Sequence, residues 1–395
     1  MKQILTIMLL LSCVLSAGCE SAEDIGSTGA VDLTGHYTYM TVENSDAIGT
    51  ILCRFDIDTG IVTPICTDPL CQHHDKEECL FASVSRCFVV NNKIIIPNYS
   101  VFDPYTNTQG WQVIGYDIPS DRYEVWYQYD KGYTAMDTYE TIIGDYFYCQ
   151  CTGTFEGEDG EKIYDATVMY RISLIDGQCE VLEGIEYLPG AVRKDRYYYG
   201  GNQGNRMIFS TDFHGGDRQE YKIGFLVGEA HYDRIDDGII FGIGFGMDVN
   251  RLCQINIETN EIIESDLGMD IYDMCVGDDY IYLLCDDPEP TLIGYDVKQG
   301  QDVYNRTGGK IYRMKFGSSN CELYKDFGAD YSFCNSMELV DERIVLDYGA
   351  IVQDSYWSVD TWNGKGGGKV VIDTATDEVT LFERTWNLPT STAVN

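Results

Sequence analysis

The chain of 395 residues carries 64 acidic side chains against 27 basic ones, and its net charge of −37 repels phosphate backbones and anionic headgroups, which argues against nucleic-acid binding. Hydrophobic residues make up 44% of it and charged residues only 23%, enough apolar surface to offset ordering entropy, so a disordered chain is excluded. Forty glycines, thirty tyrosines and only nine prolines suit many short strands joined by tight turns.

Residues 1–18 read as a secretion signal: Met1-Lys2 is a positive start, Ile4 to Leu15 is almost wholly apolar, and Ser16-Ala17-Gly18 puts small residues before Cys19. The apolar run is well short of the roughly 20 residues that a spanning helix needs. Leu15-Ser16-Ala17-Gly18-Cys19 resembles the lipobox of bacterial lipoproteins, with Ser16 where a leucine is more usual. That resemblance implies cleavage before Cys19 and a diacylglycerol on its sulfur. An ordinary cleaved signal is the alternative. Residues 19–30, small and polar, then read as a flexible tether between lipid and domain.

Residues 31–385 alternate strand and turn almost without amphipathic helix. Phe88-Val89-Val90-Asn91-Asn92-Lys93-Ile94-Ile95-Ile96 is a hairpin hinged on Asn-Asn, and Gly144-Asp145, Asp278-Asp279 and Asp341-Glu342 likewise precede apolar strands. A second element, a strand ending in a polar turn, recurs about every 40 to 60 residues. Its copies begin at Cys53, Ile114, Met169, Met207, Cys253, Ile311 and Val370. This predicts an all-β fold, a single β-propeller of about seven four-stranded blades, with six or eight possible. Leu292-Ile293-Gly294-Tyr295-Asp296 also fits, as an insertion or an eighth blade. The first unit has room for about three strands, and the strands after Lys369 lack a blade of their own, so the termini are expected to share a closing blade. Two β-sandwich domains would be the competing fold, but no Pro-, Gly- or Ser-rich linker lies near the middle. Residues 386–395 are a C-terminal tail whose Leu388-Pro389-Thr390-Ser391-Thr392 lacks the features of a sortase signal.

Cys66-Thr67-Asp68-Pro69-Leu70-Cys71-Gln72-His73-His74-Asp75-Lys76-Glu77-Glu78-Cys79 interrupts the strand pattern. Three thiolates and one imidazole complete a tetrahedral zinc shell, which makes Cys66, Cys71, His73 and Cys79 the candidate ligands, with His74 the alternate. Four protein ligands leave no open position, so the zinc would be structural. A disulfide within the loop, or to Cys53 or Cys87, is the competing reading. Calcium is possible at acidic turns such as Asp236-Asp237 and Asp286-Asp287.

The blade signature, especially Ile311-Tyr312-Arg313-Met314-Lys315-Phe316, resembles TolB-type and WD-repeat-like propeller lipoproteins of Clostridia and their relatives, mostly of unknown function. The cysteine loop is similar to a Cys-Asp-Pro-x-Cys-x-His-x-Cys insertion of such proteins, although Thr67 here separates Cys66 from Asp68-Pro69.

Catalytic motifs fail on inspection. Asn363 and Val370 spoil the phosphate-loop pattern around Gly364 to Lys369, and Gly242-Ile243-Gly244-Phe245-Gly246 has the wrong glycine spacing for a dinucleotide. His214 and His231 lack a nucleophile motif. Tyr197-Tyr198-Tyr199 and Trp357, Trp362 and Trp386 fit core and seam packing better than sugar stacking. The expected function is a lipid-anchored binding or scaffolding module on the bacterial cell surface, at the outer leaflet of the cytoplasmic membrane, with a protein or glycan ligand. The alternative is an extracytoplasmic propeller enzyme acting on glycans through carboxylates. The long interruptions from Cys66 to Arg86 and from Asp286 to Lys310 are the expected recognition loops.

Overall fold

The computed structural model describes residues 36–384, apart from the stretches 44–49, 72–78, 129–135, 157–161, 201–205, 228–237 and 350–360 and some shorter gaps. Antiparallel sheets follow one another along the chain. Blade 1 is Tyr37–Glu43, Thr50–Asp56 and Val62–Pro64, and blade 2 runs from Phe88–Val90 to Arg122–Gln128. Blade 3 runs from Met136–Ile143 to Cys179–Val181, and blade 4 from Ala191–Arg193 to Gln219–Lys222. Blade 5 is Ile239–Ile243, Arg251–Asn256 and Glu261–Asp266, with Val227 bridging Gly244 where a further strand would start. Blade 6 combines Ile271–Val276, Tyr280–Cys285, Lys310–Lys315 and Cys321–Asp326. Blade 7 combines Phe333–Val340, Arg343–Tyr348, Gly368–Asp373 and Val379–Glu383.

Each sheet buries both faces, so apolar side chains form one core cluster at each seam between neighbours. Leu52 meets Ile94 and Ile114 between blades 1 and 2, and Ile95 meets Phe147 between blades 2 and 3. Tyr148 meets Tyr197, Ile208 meets Ile240, Phe241 meets Ile281, and Ile311 meets Ile344 at the next four seams. Phe55 and Ile57 of blade 1 then pack on Val345 and Val371 of blade 7. Seven sheets whose last packs on the first make a closed seven-bladed β-propeller.

The recurring polar turn has one physical basis. The Asp56 carboxylate accepts the N–H groups of Asp58 and Thr59 at 3.0 and 2.9 Å, and Asn256 and Asp373 do the same for the residues two and three positions on. Gly60 and Gly177 follow in such turns at φ of 75° and 70°, where a side chain is strained.

Two expectations are corrected or resolved. The strands after Lys369 belong to blade 7, pairing with Arg343–Tyr348, so among the described residues the first and last blades share no strand. Closure is instead by side chains: the core contacts above, Thr38 donating to Glu338, and Arg343 pairing with Asp58 at 2.7 Å. Leu292 to Asp296 is an insertion. Thr291–Asp296 and Gln301–Asn305 form a hairpin between two strands of blade 6, and Thr361–Trp362 from an insertion in blade 7 adds a third strand to it.

Candidate functional site

Two insertions distinguish this ring from seven plain blades. The first interrupts the edge of blade 1. The Ile65 N–H donates to the Leu52 carbonyl, and the Leu52 N–H donates to the carbonyl of Phe81, so the chain leaves the edge strand at Cys66 and rejoins it beyond Leu80. Ala82 then bridges Ile51. Two turns carry Cys71 and Cys79, and Cys66 directly follows Ile65. Asp68 accepts the Leu70 N–H on its carboxylate at 2.8 Å and the Cys71 N–H on its carbonyl at 3.2 Å, an arrangement that Asp followed by Pro favours. The second turn runs from Cys79 to Ala82, whose N–H donates to the Cys79 carbonyl at 3.0 Å.

These turns bring the sulfurs of Cys66, Cys71 and Cys79 within 4.8 Å of one another. Tetrahedral zinc with Zn–S bonds of about 2.3 Å needs sulfurs about 3.8 Å apart, so a contraction of about 1 Å suffices. Cys79 is buried and Cys66 and Cys71 are half-buried, all three against the core shared by blades 1 and 2. The hydrogen bond with Cys66 and burial push the Cys79 thiol up, and the Phe81 N–H opposes them. None of the eleven cysteines whose side chains are described is disulfide-bonded. Burial pushes the thiols of Cys53 and Cys87 up to about 12, as it does for inert core cysteines. His73, His74 and Cys19 lie outside the described residues.

The second insertion is the accessory sheet of blades 6 and 7. Its base is pinned: Asn305, fully buried, donates from Nδ2 to the carbonyls of Ala329 and Tyr331 and accepts the Gly308 N–H on Oδ1. Lys310 pairs with Asp287 at 2.8 Å and holds its carboxyl below the usual range, and Arg306 pairs with Asp286. The acidic pair Asp286-Asp287 therefore faces cationic side chains. Asp236-Asp237 lies outside the described residues. Leu292 and Tyr304 stand directly opposite each other on the sheet, 51% and 50% exposed, and Tyr295 is 43% exposed.

Sequence reasoning located both insertions, but it missed the anchoring by Asn305 and the strand from Thr361–Trp362. An asparagine three residues before Gly308 reads as an ordinary turn residue until its burial is known. Tyr197, Tyr198 and Tyr199 are core residues, as expected. His214 sits on a turn, its N–H donating to Asp212. His231, Trp357 and Trp386 lie outside the described residues. Among the described residues, every carboxyl displaced in pKa is displaced downward, by a hydrogen-bonded His36 at Asp58, by backbone N–H groups at Asp212 and Asp373, and by the Tyr324 hydroxyl at Asp377.

No protein family matches the chain, and no curated protein matches it. Solved structures match in fold. An oligogalacturonate lyase from Vibrio parahaemolyticus shares 8% identity at a TM-score of 0.43, over 82% of this chain and 95% of that one. TolB from Acinetobacter baumannii shares 10% at 0.38, over 87% and 78%. A putative TolB from Agrobacterium tumefaciens shares 14% at 0.39, over 68% and 86%.

Proposed function

We propose that the chain is an exported, non-catalytic binding or scaffolding propeller, held at the outer leaflet of a bacterial cytoplasmic membrane by a lipid on Cys19, with the accessory sheet as its recognition surface. The carrying observation is the accessory sheet itself: two neighbouring blades each contribute an insertion to it, its base is anchored by buried Asn305, and it shows Leu292, Tyr295 and Tyr304 to solvent. Single exposed apolar residues need no explanation, whereas an anchored group of them on an added element marks an interaction site. The partner is a cationic protein surface carrying apolar anchors. Asp302 is exposed and stands directly opposite Tyr295 in this group, and the net charge of −37 steers basic partners toward the ring and repels acidic ones.

The test uses the mature chain with a synthetic peptide alternating lysine and leucine, and its glutamate–leucine counterpart. The lysine peptide should bind with an affinity that falls with salt, the glutamate peptide should not bind, and Leu292→Ser with Tyr304→Ser should weaken the first about tenfold or more. Equal binding of both peptides, an unaffected double variant, binding to neutral glycans instead, or cleavage of a glycan would overturn the reading. For the anchor, Cys19→Ser should release an unprocessed or soluble chain, and mass spectrometry showing an unlipidated mature N-terminus at another residue would refute it.

A further inference from the structure

The binding reading makes no use of the cysteine loop in blade 1. We propose that Cys66, Cys71 and Cys79 ligate one zinc ion, and that this ion acts as a staple across the interrupted edge strand of blade 1 rather than as a reaction centre.

Three independent features converge on this. The sulfurs already stand within 4.8 Å of one another, close to the spacing that tetrahedral zinc imposes. Two hydrogen-bonded turns, from Asp68 to Cys71 and from Cys79 to Ala82, present Cys71 and Cys79, and Cys66 follows Ile65, whose N–H is bonded to Leu52, so this backbone is held before any ion arrives. They also sit at the mouth of the excursion. Cys66 directly follows Ile65, which bonds to Leu52, and Cys79 comes just before Phe81, which bonds to the same residue from the other side. An ion held by both cysteines ties the two ends of the loop together where the strand must resume, and so removes the closure entropy of the loop.

Thiolate donors select a soft cation, and zinc tolerates the tetrahedral geometry without redox chemistry. Each sulfur enters as thiolate, its proton passing to solvent. A fourth donor from the protein completes the tetrahedral shell. A shell closed by four side chains leaves no place for a substrate or an activated water. A disulfide would use two of the three sulfurs and strand the third.

The test uses the full mature chain, purified without chelator. About one zinc should be found per chain, and cobalt substitution should give the intense near-ultraviolet band of thiolate-bound cobalt. Native-state hydrogen exchange reads the staple directly. Chelation should speed exchange of the Leu52 and Ile65 amides about tenfold or more, while amides of Lys310–Lys315 in blade 6 keep their rates. Cys71→Ser, at a half-buried position, should lower zinc affinity. Because the chelation measurement needs no variant, misfolding of Cys71→Ser does not blunt the test. Absence of metal, a Cys66–Cys79 or Cys71–Cys79 disulfide, or zinc whose removal leaves Leu52 and Ile65 unchanged would overturn the proposal.

Discussion

Gly60 and Phe382 meet where the two ends of the described chain come together. A Cβ on Gly60 would lie 2.3 Å from the Phe382 ring, and the residue has φ of 75°. Gly177 stands in the same relation to Trp126, 2.8 Å from a Cβ, at the seam between blades 2 and 3. Lys93 and Arg343 form a second equivalent pair: each opens the second strand of its blade and reaches the polar turn of the next, Lys93 on the Leu174 carbonyl at 2.8 Å and Arg343 on Asp58 at 2.7 Å. The closing seam is thus built like an internal one. Gly60→Ala should therefore cost about 2 kcal/mol or more, combining backbone strain with the ring clash. Gly317→Ala, at φ of 73° with nothing within 4 Å, should cost about 1 kcal/mol from strain alone. Denaturant titration compares the two, and equal costs would show that Phe382 yields freely. Asp58 adds a pH signature. Its carboxyl is lowered first by the hydrogen bond from His36 and also by Arg343, so its stabilisation is present above the unfolded carboxylate range and is lost as pH falls through the depressed folded value. Asp58→Asn should lower stability at neutral pH and flatten the acid limb, with little change below the depressed folded value. The turn motif from Asp56 to Gly60 was legible in the sequence; its partner Phe382, more than three hundred residues away, was not, because nothing local marks a seam.

At the scale of elements, the polar turns explain both what sequence reading found and what it blurred. Two residues before each turn stand, in blade order, Arg54, Gly115, Arg171, Ser210, Gln254, Arg313 and Val371. Seven equivalent positions hold five residue types, arginine at three of them, so no single identity runs through the blades, although the jobs repeat. Arg171 pairs with Glu180 on the next strand and reaches Tyr197 in blade 4 at 3.1 Å, while Gln254 bridges to Ser318 and Gly317 in blade 6. Arg313 pairs with Glu322 and lies over Tyr280 and Tyr324. Strand and turn periodicity therefore showed the blades, and side-chain identity did not show the seams. The accessory hairpin fitted the blade pattern because it is itself a strand, a turn and a strand, and its place between two strands of blade 6 and its pairing with Thr361–Trp362 separate it from an eighth blade. Its base makes a prediction. Asn305→Ala removes a fully buried side chain that donates to the Ala329 and Tyr331 carbonyls and accepts the buried Gly308 N–H, and should cost about 1 to 3 kcal/mol, whereas Tyr304→Ser, one residue away and exposed, should cost about 0.5 kcal/mol or less. Chemical unfolding of the two variants checks this, and the reverse order would refute the anchoring role. The cysteine cluster was likewise visible as a motif, but its position astride the edge strand depended on the hydrogen bonds of Leu52, which no spacing encodes.

For the whole molecule, charge and closure dominate. With 64 acidic and 27 basic residues the ring repels itself, and raising salt from about 0.01 M to about 0.1 M shortens the screening length from about 30 Å to about 10 Å. The melting temperature should rise over that range. A fall would show that the seam ion pairs outweigh self-repulsion. The contacts that close the ring link residues 285 to 307 positions apart, Arg343 to Asp58 and to His36, with Thr38 to Glu338 between those limits. The blades themselves fold from neighbouring hairpins. As the chain is synthesised, the flank of blade 1 that carries Phe55 and Ile57 lacks its cover from blade 7 until Val345 and Val371 follow, so that flank stays open while the other six seams can zip in order. Ring closure is then the last and slowest event in folding, and the unclosed ring is an adhesive intermediate with a complementary flank at each end. Two such rings could join flank to flank, the route to a domain-swapped dimer. In pulse-labelling exchange, amides of Thr50–Asp56 should gain protection after those of Lys310–Lys315, and early protection of blade 1 would contradict that order.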